Sequence, residues 1–215
     1  MKITVFGATG GIGSQLIRQG IARGHAMTAV TRRPVDLGCD VVVAELGDAE
    51  AIAGAVAGRD AVLSALGLRV AEMRARRKLD PSARSSVQAD GARAQVAAML
   101  ATGVRRIVSV DAAGRVADSG DGFVTRFVAK PLLQRLLREG FTDLAVAERV
   151  LRDSGLDWTL VSPPRLTDGP QRPYRTVVDR NVRGGGTLSR ADVADAMLRA
   201  LEEPGWVHHR VNVAY

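Results

Sequence analysis

Short apolar runs alternate with amphipathic stretches along most of the 215-residue chain. Ile3 to Phe6 is apolar and β-branched and stops at Gly7; Ile12, Leu16, Ile17 and Ile21 then recur at helical spacing as far as Gly24, a natural stop. The strand signal returns at Met27 to Thr31, Val41 to Ala44, Asp60 to Ala65, Val104 to Val110, Trp158 to Val161 and Val207 to Val213. Between these runs the pattern predicts helices over Ala49 to Ala57 behind an Asp48 N-cap, over about Ser82 to Ala101, and over apolar-rich segments either side of Gly140. The second of those segments, Thr142 to Ser154, carries Glu148 and Arg152 as an i,i+4 pair. A last helix opens on the capping-box-like Ser189-Arg-Ala-Asp192 and runs through Leu201. Strands alternating with helices predict an α/β chain, one domain over 1–215, with a doubly wound parallel sheet covered by helices on both faces. From Thr167 to Gly186 the composition shifts to Pro, Gly and Arg, which predicts a loop-rich C-terminal substrate lobe rather than sheet.

The first strand ends in a turn that can be read as chemistry. Gly7, Gly10, Gly11 and Gly13, with Thr9 and Ile12 between them, join a strand to a helix. Glycine tolerates positive φ there, its missing Cβ lets the backbone approach a pyrophosphate, and the open amides of a helix start attract an anion. The turn therefore reads as a dinucleotide cradle of the Rossmann type. In that pattern the end of the second strand selects the cofactor: an acid for a free ribose 2′-hydroxyl, an arginine for a 2′-phosphate. Here the chain reads Thr31-Arg32-Arg33-Pro34, two guanidiniums and no carboxylate, which favours NADP(H) over NAD(H). Leu46 and Asp48 after the third strand fall beside the adenine position, although capping is the simpler role for Asp48. Ala65, Leu66 and Gly67 at the end of the fourth strand fall where the cofactor would be lined.

Hydrophobic residues make up 46% of the chain, enough for a substantial core, yet no run of about 18 apolar residues occurs and the N-terminus lacks the zones of a signal peptide. These features, with Cys39 as the single cysteine, predict a soluble cytoplasmic protein with neither disulfide nor membrane span. The net charge is +7, but the basic cluster Arg69, Arg74, Arg76, Arg77, Lys78 and Arg84 has no interleaved aromatics; a solvated loop, or attraction of an anionic ligand, explains it better than nucleic acid. His208 and His209 lack a third donor nearby in sequence, so they read as structural rather than as metal ligands. Nothing in the sequence names a partner, and a homodimer is left open.

Together, Gly7-Ala-Thr-Gly10-Gly-Ile-Gly13, Ser154-Gly-Leu-Asp-Trp-Thr159 before Ser162-Pro-Pro, Leu166-Thr-Asp-Gly-Pro170 and Ser189-Arg-Ala-Asp-Val-Ala194 resemble an atypical short-chain dehydrogenase/reductase. More narrowly, the chain is similar to the NAD(P)H-binding branch that holds the NmrA-like proteins and the biliverdin reductase B/flavin reductase type. The reductive machinery usual in that family, Tyr-x-x-x-Lys with a serine at the end of the fifth strand, does not carry over. Tyr174 and Tyr215 have no lysine at that spacing, Lys130 lies in another neighbourhood, and Asp111 stands where the serine would fall, with Ser109 two residues earlier. Asp111 is the candidate catalytic residue, to orient a substrate or a water; capping is its alternative. Arg165 is a candidate contact for an anionic substrate, or a surface ion-pair partner. The resemblance implies an NADPH-dependent oxidoreductase acting on a small conjugated, flavin- or quinone-like acceptor. A non-catalytic, NADP(H)-binding redox sensor is the second reading, and a nucleotide-sugar epimerase or dehydratase the third.

Overall fold

The computed structural model describes residues 1–67, 86–118, 121–122, 127 and 130–215; the basic cluster from Arg69 to Arg84 lies outside them. The chain enters as β1 (Lys2–Phe6), α1 (Gly11–Ala22), β2 (Ala26–Thr31), β3 (Asp40–Val43), α2 (Ala49–Val56) and β4 (Ala61–Ser64). It continues as α3 (Val87–Thr102), β5 (Arg106–Val110), α4 (Lys130–Leu136), α5 (Arg138–Asp153) and β6 (Asp157–Ser162). The C-terminal part comprises β7 (Arg165–Thr167), β8 (Arg175–Val178), β9 (Thr187–Ser189), α6 (Arg190–Arg199) and β10 (His209–Ala214).

Eight strands form one sheet in the order β3-β2-β1-β4-β5-β6-β10-β8, parallel throughout except where β8 runs antiparallel to β10. This is the α/β, Rossmann-type doubly wound sheet that the alternation predicts. Side-chain alternation divides the core into two layers. Ile3, Val5, Leu63, Val108, Val161, Val211 and Val213 face α1 and α6 on one side. Phe6, Val30, Val62, Ile107, Trp158 and Leu160 face α2, α3 and α5 on the other. Some polar side chains inside these layers bond the backbone, as where Thr4 donates to the Ala55 carbonyl at 2.6 Å.

Three expectations need correction. The segment read as loop rather than sheet contains β8, whose Arg175 to Val178 pair with Ala214 to Val211 at the sheet edge, while β7 and β9 make a separate two-stranded parallel ribbon. The turn residues around these strands hid them, because each strand is only three or four residues long. Gly140 does not separate two helices: it lies within α5, and the break falls at Leu137. A glycine inside a helix costs about 1 kcal/mol relative to alanine, which tertiary packing overrides. The helix expected from Ser82 begins at Val87 behind Ser86, and residues 82–85 lie outside the described set. Elsewhere the caps fall where the chain signals them: Asp48 accepts from the Ala51 amide, and Ser189 from the Asp192 amide.

Candidate functional site

The carboxyl ends of β1, β2 and β4 converge on the glycine turn. Gly7 adopts φ +75°, and a Cβ there would lie 2.6 Å from the Ala65 carbonyl oxygen, so the β1 turn can lie against the end of β4 only as glycine. A Cβ on Gly13 would overlap the Gly7 carbonyl and approach the Ala8 Cα to 2.7 Å. The turn is closed by Gly10 N–H donating to the Gly7 carbonyl at 2.9 Å. Gly10 is the N-cap of α1 and brings no side chain to the first-turn amides, and no acid lies in that turn. A twelve-residue helix thus presents an uncapped N-terminus at the carboxyl edge of a parallel sheet.

A cleft of about 370 Å³ opens beside this turn, lined by Thr9, Thr31, Arg32, Arg33, Pro34, Val35 and Glu45. Thr31 is buried and its hydroxyl donates to the Arg33 carbonyl at 2.8 Å, fixing the bend after β2. Arg32 and Arg33 are exposed, and neither is paired with a carboxylate among the described residues. Leu46 and Leu66 approach α3 at Gly91, where any Cβ would overlap the Leu66 side chain. Gln88 reaches back from α3 to donate to the Leu66 carbonyl at 3.2 Å, with Gly67 exposed alongside. Asp48 is exposed and engaged as the α2 cap. Gly7 to Gly13, Thr31 to Arg33, Leu46 and Ala65 to Gly67 therefore gather along one edge. A dinucleotide fits this set, since open amides and close-packed glycines suit a pyrophosphate.

Asp111 lies elsewhere in character. It follows β5, is buried, and accepts from the Arg115 guanidinium at 3.0 and 3.2 Å and from the Ser162 hydroxyl at 2.9 Å. Arg210 Nε stands 3.1 Å from Oδ2, the oxygen that Ser162 also contacts. Glu148 joins the same cluster, bonded to Arg115, to Arg210 at 2.6 Å and to Arg152 at 2.8 Å. Burial pushes the Glu148 carboxyl up, but the Arg152 hydrogen bond and the charges of Arg115 and Arg210 outweigh it and hold it below the ordinary glutamate range. The structure therefore places Asp111 inside an ion network, capping no helix. The spacing of Asp111 and Arg115, four apart, could have signalled the pair; Arg210 arrives from β10 and leaves no local trace.

The other polar candidates are also engaged. Lys130 is buried, donating to Asp121 at 2.8 Å and to the Val116 carbonyl at 2.7 Å. Tyr174 donates to Asp195 at 2.5 Å, and Tyr215 bonds Asp192 and the Ser189 amide. His209 contacts Asp179 at 2.5 Å, and His208 meets the Leu156 carbonyl at 3.1 Å. Ser109 sits within β5, and Arg165 is exposed at the start of β7.

The sequence profile of the NAD(P)H-binding family matches residues 7–204. The chain belongs to this family. Among solved structures, a Burkholderia pseudomallei protein provisionally named as exported is 29% identical, with both chains covered over 100% of their length and a TM-score of 0.74. A Streptococcus pneumoniae TIGR4 protein provisionally named NADH-flavin reductase is 23% identical, covering 100% of this chain and 99% of that one, with a TM-score of 0.78. A short-chain dehydrogenase/reductase from Veillonella parvula DSM 2008, solved with NADP, shares the fold at a TM-score of 0.77 and 18% identity, covering 100% of this chain and 94% of that one. The likeness to these structures is one of fold, and the family is one of NAD(P)H binding. No helix among the described residues is long and apolar enough to cross a membrane.

Proposed function

We propose that the protein is an NADPH-dependent oxidoreductase that delivers hydride to a small conjugated acceptor of the flavin or quinone kind. The observation that carries the cofactor half of this reading is the pair Arg32 and Arg33, exposed, without carboxylate partners and lining the cleft beside the glycine turn. Two guanidiniums suit a 2′-phosphate through Coulomb attraction and bidentate geometry, and no acid stands at the end of β2 to receive a free 2′-hydroxyl. The amides of Gly11 and Ile12 would hold the pyrophosphate, with Leu46, Leu66 and Asp48 toward the adenine. Reduced nicotinamide supplies the hydride when bound.

The acceptor half rests on the lack of a tyrosine–lysine pair and on the engagement of Asp111. An acceptor that delocalises the incoming electron pair can take its proton from water, so this chain needs only to seat it. The S. pneumoniae neighbour, provisionally named NADH-flavin reductase, agrees with that class. The cytoplasm is the compartment we assign with it, on the lone, unpaired Cys39.

The test is a binding titration with NADPH and NADH side by side, followed by NADPH oxidation against flavins, quinones and conjugated carbonyls. The reading expects tighter binding of NADPH, a selective loss of roughly tenfold or more in Arg32→Ala/Arg33→Ala, and acceptor-dependent oxidation. Equal affinity for the two cofactors refutes the role of the arginines. Tight binding without turnover, over the whole acceptor panel, transfers the assignment to a redox sensor.

A further inference from the structure

One cation near the glycine turn comes from the far end of the chain. Arg190 is the first residue of α6, and its side chain lies on α1: a Cβ built on Gly11 would be 2.5 Å from Arg190 Cδ and 2.9 Å from Nε. Gly11 is the first helical residue of α1, where the uncapped amides begin. The approach is built into the packing. Gln19 of α1 is buried and donates to the Ala191 carbonyl at 2.9 Å, which locks the first turn of α6 onto α1, and Ser189 caps that turn.

Among the described residues the guanidinium has one carboxylate partner, Asp168, at 2.6 Å. That bridge orients without neutralising, because the Asp168 side chain is 90% exposed and that of Arg190 is 32% exposed, so water screens the pair. The result is a solvent-reachable cation packed on the backbone that a dinucleotide's pyrophosphate would approach. Arg32 and Arg33 stand at the other end of the same edge, after β2.

We propose that Arg190 is a pyrophosphate-binding residue of the dinucleotide site, adding a guanidinium to the open amides of α1 and explaining why position 11 carries no side chain. The packing and the chemistry agree: the anion receives backbone N–H groups from one helix and a fork of charged donors from another. The proposal depends on dinucleotide binding and is independent of any preference for NADPH, since NADH and NADPH share the pyrophosphate.

The experiment measures dissociation constants of NADPH, NADH and ADP-ribose by calorimetry for the wild-type chain, Arg190→Ala, Arg190→Gln and Arg190→Lys, with the thermal midpoint of each ligand-free protein as a folding control. ADP-ribose retains the pyrophosphate and lacks nicotinamide. We expect Arg190→Ala and Arg190→Gln to weaken all three ligands by about tenfold, and Arg190→Lys to retain most of the affinity. Unchanged ADP-ribose binding in Arg190→Gln overturns the proposal, whether or not NADPH binding falls, because the arginine would then read the nicotinamide half or nothing. Should Arg190→Ala lower the ligand-free midpoint, Arg190→Gln, which keeps an uncharged side chain reaching the δ position over Gly11, decides alone. A failure of the NADPH preference shows separately, as equal NADH and NADPH constants in the wild-type protein.

Discussion

Glu148→Gln removes one negative charge from a cluster in which two carboxylates face three guanidiniums. Asp111 is paired with Arg115 and Arg210, and Glu148 with Arg115, Arg152 and Arg210. The side chains of Asp111, Arg115, Glu148 and Arg210 are 2%, 11%, 13% and 15% exposed, so water has limited access to them. Breaking a fully buried pair costs about 3–5 kcal/mol, since it strands the remaining charge. Glutamine keeps an acceptor oxygen and the site admits some water, which leaves about 2–3 kcal/mol, or a fall in Tm of about 4–12 °C for a domain of this size. The pH dependence follows from the same contacts. The native carboxyl is held below its ordinary range despite the opposing effect of burial, so its contribution is complete above the unfolded value and is lost as pH falls through the depressed native one. Thermal unfolding followed by circular dichroism should therefore separate wild type from variant fully at about pH 7 and progressively less below about pH 4. Equal midpoints at neutral pH would show that the network contributes nothing net and refute this account of it.

Gly13→Ala forces a Cβ to within 2.7 Å of the Ala8 Cα, a backbone atom that cannot move aside cheaply. We expect a loss of about 1–3 kcal/mol in urea unfolding and at least a tenfold weaker NADPH in calorimetry; an alanine variant that binds normally would sink the cradle as described. Ser189→Ala removes the cap of α6, and with it the bond from the Asp192 amide at 3.0 Å. A destabilisation of about 1 kcal/mol, read as a Tm lower by about 2–4 °C, is the expected result, and an unchanged Tm would rule the cap out as a stabilising contact.

The sheet was legible because each of its central strands is a short apolar run next to an amphipathic helix, and burial on both faces writes that pattern directly into residues such as Ile3, Val5, Val62 and Val108. The edge was not. Arg175 to Val178 pair with one strand only and are half-buried at Thr176 and Val177 and exposed at either end, so no apolar run marks them. At the site, glycines and capping residues act within a few positions of themselves and can be read locally. Gly91, whose bareness admits Leu66, and Arg190, which lies over Gly11, act through contacts between distant segments. Asp111 shows the same limit from the other side: its position at the end of β5 suggested chemistry, whereas Arg210 and Ser162, brought by neighbouring strands, decide what its oxygens contact.

Those contacts bear on the kind of acceptor the chain can serve. A protein acid for carbonyl reduction must reach the substrate with a proton to give. Burial and the hydrogen bond to Asp195 push the Tyr174 phenol up, and that bond directs its proton to Asp195, within α6. Tyr215 is turned toward Asp192, and Lys130 donates to Asp121 and a carbonyl. Asp111 has both oxygens occupied by Arg115 and Ser162 before any substrate arrives. Among these described candidates the polar groups beyond the glycine turn are engaged with other protein groups, so on the proposed reading the chain need only seat its acceptor against the nicotinamide. An acceptor whose ring stabilises the added electron pair asks for no more than that, which is the physical ground for choosing a conjugated acceptor over a simple ketone.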